Sequence, residues 1–344
     1  MEKNCLVTKY KATVNDNSLL KVGEMFIDII EQESPTNQSN RLYLNTGNTS
    51  DLVVEVENGE ANITLDENMV SGWTNKITLS KSVTAPAPIF VRNGNYRVKV
   101  LSKYNLTEVG RWTESIIQKA ISVDVKYLKY SPNLVNLLVG LSGDLANISG
   151  CTKLNRISNL KISPNLTGSL SDLAPLTALT YINLTDSTNI TGSLSDLAPL
   201  TALTSLNLAG ATNITGSLSD LAPLTALTSL NLTGATNITG SLSDLAPLTA
   251  LTTISLLGAT NITGNIKDIR QPVTSLSIYN TGIVGELIEF VKTQRAAGRT
   301  TGSCNNGGWW GNNITFNGSN PGGGAQTLSW TENTITNNGV TVNQ

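Results

Sequence analysis

A chain of 344 residues with 39% hydrophobic content has room for two or three packed domains and is too apolar to be disordered. Its net charge is −2, only 14% of residues are charged, and it has no His. That removes a basic nucleic-acid-binding face together with the commonest general base and metal ligand, so no nucleic-acid partner and no cofactor is expected.

Cys5, Cys151 and Cys304 lie far apart, match no metal-ligand spacing, and leave one unpaired in any pairing, which argues against a disulfide framework. The opening residues lack the apolar core of a secretory signal, and no stretch reaches the roughly 18 apolar residues of a membrane span. The expectation is a protein made in the cytoplasm without membrane insertion. Its Thr, Ser, Asn and Gly texture on an aliphatic skeleton is nonetheless that of adhesins and fibres, and a particle released by lysis reconciles the two.

Residues 1–112 alternate apolar and polar in short runs: Leu6 to Val14, Met25 to Ile30, Arg41 to Leu44, Leu52 to Val56, Ile77 to Leu79 and Ile89 to Lys103. Gly, Asn and Pro punctuate them, so the pattern predicts a β-sandwich. This domain either anchors the rest of the chain or caps its open strand edge.

Residues 113–298 carry an internal repeat. A block running Gly-Ser-Leu-Ser-Asp-Leu-Ala-Pro-Leu-Thr-Ala-Leu-Thr begins at Gly168, Gly192, Gly216 and Gly240, a spacing of 24 residues that predicts a solenoid of about seven coils. Between Asp172 and Ile266 there is no Lys, Arg or Glu; the charges are Asp172, Asp186, Asp196, Asp220 and Asp244. Apolar rows recur as Leu176, Leu179, Ile182 and Leu184, then Leu200, Leu203, Leu206 and Leu208. With Leu154 to Gly168 as the best local match, read with Leu160 and Ile162 as the strand leucines, this pattern resembles the leucine-rich repeat family. The resemblance implies one short strand per coil, stacked about 4.8 Å apart into a parallel sheet over a leucine core. Leu128 to Leu134 echoes Leu160 to Leu166 and places an irregular first coil near Val123.

Two ladders arise from the repeat. Asn165, Asn189, Asn213, Asn237 and Asn261 recur after the strand, where an amide side chain reaches backbone of the adjacent coil; each also lies in an Asn-x-Thr glycosylation sequon. Asp172, Asp196, Asp220 and Asp244, each with the preceding Ser residues, read as caps of a short helical turn that the following Pro keeps short. Stacked carboxylates are also a conceivable cation site, but no second oxygen-rich residue accompanies each Asp.

Leucine-rich repeats imply binding through the residues that alternate with the core leucines. Here those rows are Asn159, Tyr181, Ser205, Ser229, Thr253 and Ser275, and Lys161, Asn183, Asn207, Asn231, Ser255 and Ser277. They lack the Trp, Tyr and Arg of interface hot spots, Tyr181 excepted, which suits weak glycan contact or a spacer. The array ends with a strand over Val273 to Ile278 and a helix from Gly285 stopped at Gly298.

Residues 299–344 predict a β-type cap, with strand-like runs at Ile314 to Phe316, Thr327 to Trp330 and Thr334 to Val342, the last folded at Asn338-Gly339 as a hairpin. Trp309 and Trp310 in the Gly/Asn loop either plug the end of the leucine core or stack on sugar rings.

The fold class is therefore mainly β with short helical turns: an N-terminal β-sandwich, a leucine-rich-repeat solenoid with a parallel sheet, and a β-type C-terminal cap. Residues Cys5 to Glu24 also resemble the N-termini of proteins of phages of gut Bacteroides, crAss-like phages included. That resemblance implies a non-enzymatic virion structural protein, a head or tail fibre. It would attach to other virion proteins through its N-terminal domain, present its cap to host glycan, and form a homo-oligomer. The alternative is a bacterial cell-surface leucine-rich-repeat adhesin. A polysaccharide depolymerase would need two carboxylates about 5 to 9.5 Å apart, which the Asp ladder offers only by skipping coils.

Overall fold

The structure is a computed structural model that describes residues 24–29, 40–42, 44–45, 52–57, 59–65, 72, 74–79, 89–91, 96–101, 107–110, 121–129, 131–159, 165–306, 313–321, 326–337 and 339–343. Among the described residues the fold is mainly β with one α-helix, Leu287–Ala296, and a solenoid of parallel strands.

Each 24-residue coil holds two strands and one 3-10 turn. In one coil these are Tyr181–Asn183, Ile190–Ser193 and Leu194–Leu197; in the next they are Ser205–Asn207, Ile214–Ser217 and Leu218–Leu221. The first strands stack in parallel register, Ile182 beside Leu206 and Leu206 beside Leu230. The second strands form a ladder of their own, Gly192 beside Ile214 and Gly216 beside Ile238. The sequence pattern predicts only the first ladder. Its Ile-Thr-Gly-Ser companion shows too little alternation and contains a glycine, so it reads as a bend.

That glycine is what makes the second ladder fit. Gly216 has φ +116°, and a Cβ there would lie 2.9 Å from the Leu194 backbone nitrogen and 2.9 Å from Ser193 Oγ of the preceding coil. L-residues avoid this φ, and the obstruction includes backbone that is fixed by its own turn. Gly216→Ala is therefore expected to destabilise the protein by ~1–3 kcal/mol, measured by chemical denaturation. An exposed Thr215→Ser control should cost less.

Between the ladders lies the core. Leu176, Leu179, Ile182, Leu184, Ile190, Leu194 and Leu197 are all fully buried, and the same set recurs in the later coils. Each such side chain contributes ~1.5–3 kcal/mol relative to exposure, but only when the next coil covers it.

Both ends of the stack are covered. At the N-terminal end, strands Lys76–Leu79, Leu52–Val56, Tyr96–Leu101 and Glu24–Ile29 pair antiparallel in that order, and the last pairs with Ile121–Asp124. Ile121–Asp124 then runs parallel to the second half of Asn136–Asp144, whose first half belongs to the first ladder beside Arg156–Asn159. Leu44–Asn45 pairs antiparallel with Glu108–Gly110, which opens the first ladder ahead of Val123. Asn40–Leu42, Ile89–Val91 and Ile63–Thr64 make a separate three-stranded sheet. Met25, Val54 and Val98 share one continuous core with the leucines of the coils. The run Leu6 to Val14 lies outside the described residues.

The irregular coil before the exact repeats differs from its expected register. Ile157 sits beside Ile182, where the expected register had Leu160, and the coil's strand is Arg156–Asn159. Leu134 and Leu166, which close the two echoing runs, do not occupy equivalent positions. Leu134 precedes a first-ladder strand, whereas Leu166 opens the second-ladder strand Leu166–Ser169.

In the last coil the 3-10 turn is replaced by the helix Leu287–Ala296. It stops where expected: Gly298 has φ +84°, its N–H donates to the Arg295 carbonyl at 2.9 Å, and Arg299 N–H donates to the Gln294 carbonyl at 3.0 Å. This pair of bonds is a Schellman cap. Strand Gly302–Asn306, which the sequence reads as loop, joins the first ladder beside Ser275–Ser277 and turns the sheet antiparallel against Gln326–Trp330. The hairpin Thr334–Asn337 with Val340–Asn343 completes it.

Candidate functional site

The outward face of the first ladder carries the rows that alternate with the leucines. Ser205, Asn207, Ser229, Asn231, Thr253, Ser255, Ser275 and Ser277 all stand half-exposed there. At the head of these rows the register shift replaces Asn159 and Lys161 by Arg156 and Ser158. Asn159 instead occupies the buried position that Leu184 and Leu208 fill in later coils. It accepts from Leu141 N at 3.0 Å and donates to Ser187 Oγ at 3.0 Å. Ser187 stands where Ala211 stands one coil on, so one polar exception is satisfied by the other. Lys161 lies outside the described residues.

The asparagines of the face bond to their own coil, and the threonines just before the strands bond to the preceding one. Asn207 Oδ1 accepts from Ala209 N at 3.1 Å and Asn231 Oδ1 from Thr233 N at 3.0 Å. Thr204 and Thr228 hydroxyls each donate to the carbonyl of the matching Thr one coil back, both at 2.9 Å.

The Asn ladder lies on the other side of the coil. Asn213 Nδ2 donates to the Thr188 carbonyl at 2.6 Å, Asn237 to Thr212 at 2.7 Å and Asn261 to Thr236 at 2.6 Å. The sequon threonines bond across coils as well, Thr215 Oγ1 to the Gly192 carbonyl at 3.1 Å and Thr239 to Gly216 at 3.2 Å. Coil stacking thus explains both residues of the sequons at Asn213, Asn237 and Asn261. Asn165 lies at the head of the series, where its carbonyl accepts from Gly143 N at 3.0 Å, and Asn189 is exposed one coil later.

Each Asp of the second series closes a capping box. Asp172, Asp196 and Asp244 Oδ2 accept from the backbone N–H of Ser169, Ser193 and Ser241 at 2.8 Å, and Asp220 from Ser217 at 2.9 Å. The Ser hydroxyl in turn accepts from the N–H two residues on, as Ser193 does from Ser195 at 3.3 Å. Every one of these carboxylates therefore already satisfies an orphan N–H at the start of its turn.

Tyr181 stands alone among the small residues of the face, half-buried, with the Arg156 guanidinium 5.9 Å from its ring centre. Burial pushes its phenol pKa up, against the hydrogen bond to Asn183 and the Arg156 charge. Trp309 and Trp310 lie outside the described residues. Among the described residues, Trp330 helps to close the core at that end: it is 5% exposed and meets Phe290 edge-on at 6.2 Å. The sequence signal for it was weak, a Trp at the end of a strand-like run.

After the central coils, whose charged residues are all Asp, Lys, Arg and Glu return only in the last coils. Where earlier coils have Ser, the chain places Asn265 and then Glu286, and Lys267 takes the place of Ser243. With Glu289, Asn313 and Thr315 these residues line an open groove of about 520 Å³. Glu286 is already committed: Oε1 accepts from Asn317 N at 2.6 Å and Oε2 from the Thr315 hydroxyl. The repeat itself pointed here, since this is where its Ser positions change, yet sequence reasoning did not single it out. Among the described residues no group of three His, Cys, Asp or Glu is placed to hold a metal ion, and no helix is long and apolar enough to cross a membrane.

Cys151 and Cys304 are buried free thiols. Burial pushes Cys151 up to about 11 and Cys304 up to about 12, so neither carries thiolate at neutral pH. Iodoacetamide at pH 8 is expected to leave both unmodified in the native protein and to alkylate both in guanidinium chloride, as read by peptide mass mapping. Native labelling of Cys304 would mean that the cap opens.

No family model matches the chain, and no curated protein matches it. Solved structures similar to it include leucine-rich repeat proteins. The ectodomain of the Arabidopsis receptor kinase HAESA, solved with a peptide hormone ligand, aligns at 20% identity and TM-score 0.38, over 48% of this chain and 29% of its own. A leucine-rich repeat protein of Leptospira interrogans aligns at 16% identity and TM-score 0.31, over 46% of each chain. The functional domain of InlJ from Listeria monocytogenes aligns at 17% identity and TM-score 0.27, over 54% of this chain and 52% of its own. The chain thus spans about a third to a half of the length of these neighbours.

Proposed function

We propose that this protein is a non-enzymatic spacer and display element, a shaft of stacked leucine coils that belongs to a phage particle as a head or tail fibre. The observation that carries the reading is the commitment of the shaft's polar side chains. The Asn, Asp and Thr ladders are spent on stacking coils and capping turns, and the outward rows between them are short and nearly uniform. Such a surface gives length and stiffness without a recognition hot spot.

In this reading the N-terminal sheets attach to other virion proteins while they close the first coil, and the C-terminal cap faces the host surface. Lys267, Glu286 and Glu289 line an open groove near that end of the solenoid, which is where contact with a host glycan belongs in this reading. The particle assignment draws further support from the N-terminal resemblance to phage proteins.

Immunogold labelling of intact particles with antibody to residues 165–306 tests the proposal. Label on virions is the expected result. Label confined to the bacterial cell surface would replace the fibre with an adhesin, and turnover of capsular polysaccharide by the purified chain would overturn the non-enzymatic reading.

A further inference from the structure

The two long ladders end in four outer strands. Three of these are poor templates for further pairing. Leu44–Asn45 and Ile314–Thr315 are each two residues long, and Lys76–Leu79 begins with an exposed Lys. Short strands and edge lysines are the usual ways in which an open strand edge is kept from joining another sheet.

The fourth outer strand, Val340–Asn343, has neither protection. It is four residues long, and the sequence from Asn333 to Gln344 contains no charged residue and no Pro. Among the described residues it pairs on one side only, antiparallel to Thr334–Asn337, with Thr341 opposite Thr336. Val340 and Val342 point to the same side of the sheet. Val342 packs against the core, whereas Val340, nearer the turn, is 57% exposed.

We infer that Val340–Asn343 is a self-association edge, at which two copies of the chain join their sheets antiparallel about a two-fold axis. An open edge presents alternating N–H and C=O groups that only another extended strand satisfies. A second copy fits because an isologous contact asks for a self-complementary strip. An uncharged strip meets itself without repulsion. An axis normal to the sheet keeps each side chain on its own face, so Val340 must oppose a residue of the same parity. Thr341 then faces Thr341 of the second copy, and Val340 faces Val342. The exposed Val340 is thereby covered by the neighbouring valine. The inference does not depend on assignment to a particle.

Sedimentation of the full chain tests it. The wild-type chain is expected to be a dimer. Val340→Lys should be monomeric at the same concentration with an unchanged circular dichroism spectrum, since that side chain is exposed. Val284→Lys, at a 43% exposed site away from the edge, should leave the dimer intact. In a Cys5→Ser background, Thr341→Cys should yield a covalent dimer with a short bismaleimide. A monomeric wild type, a trimer, a dimer insensitive to Val340→Lys, or an absent cross-link would each overturn the proposal.

Discussion

Leu230→Ala is expected to cost ~2–5 kcal/mol of stability, towards the upper end of that range, because the cavity it leaves has no means of collapsing. Leu230 is fully buried in Ser229–Asn231 and stacks between Leu206 and Ile254 of the adjoining coils. The distance between those coils is set by backbone ladders on two sides and by the Thr and Asn ladders, so neighbours cannot close in. Ser229→Ala, one residue away and facing outward, should change stability by less than ~0.5 kcal/mol. The two substitutions share a strand, so only burial separates them.

The damage should also be local in a way that a globular core would not allow. Stability in a stack is a sum of coil and interface contributions. Removing contacts at Leu230 weakens two interfaces and leaves the rest as they were. Hydrogen exchange is expected to speed up first across residues 205–255, while the first and last coils, each still joined to its own closing sheet, keep their protection. Uniform loss across the chain would show that the stack unfolds as one unit.

Much of this was legible in advance because repetition averages out ambiguity. A single Leu-x-x-Leu-x-Leu run is compatible with several folds; four copies 24 residues apart are not. Where copies diverge, legibility falls. In the coil before the exact repeats a buried Asn159 stands at a leucine position, so the eye moves to Leu160 and Ile162 and slips the register. Pattern alone gives no reason to bury an amide; the hydrogen bond to Ser187 that satisfies it is non-local. The second ladder was hidden for another reason. Its strands are held by a positive-φ glycine against the preceding coil, which no propensity scale records.

The candidate site shows the same division. The Asp series was readable as caps because its partner, Ser, lies three residues away in the sequence. The Asn series was readable because its spacing equals the coil. The burial of Trp330 was not readable, since its neighbours Phe290, on the helix, and Arg299, just beyond it, meet it only after the helix has replaced the 3-10 turn.

Trp330→Ala should therefore be the most damaging change in the cap, at ~3–5 kcal/mol. The indole covers Phe290, and its Nε1 donates to the Arg299 carbonyl at 2.9 Å. The strand beneath leaves it no slack: a Cβ at Gly302 would fall within 2.4 Å of the ring. Trp330→Phe restores most of the apolar cover but not the donor to the part-buried Arg299 carbonyl, so it should cost less than Trp330→Ala, ~1–3 kcal/mol. The ordering of the two variants by urea midpoint separates packing from the hydrogen bond. Exchange should rise over residues 287–306 and spare the coils around Leu230. If instead the whole stack loses protection, the C-terminal sheet is what holds every coil in place, and the array is one cooperative unit rather than a chain of neighbours.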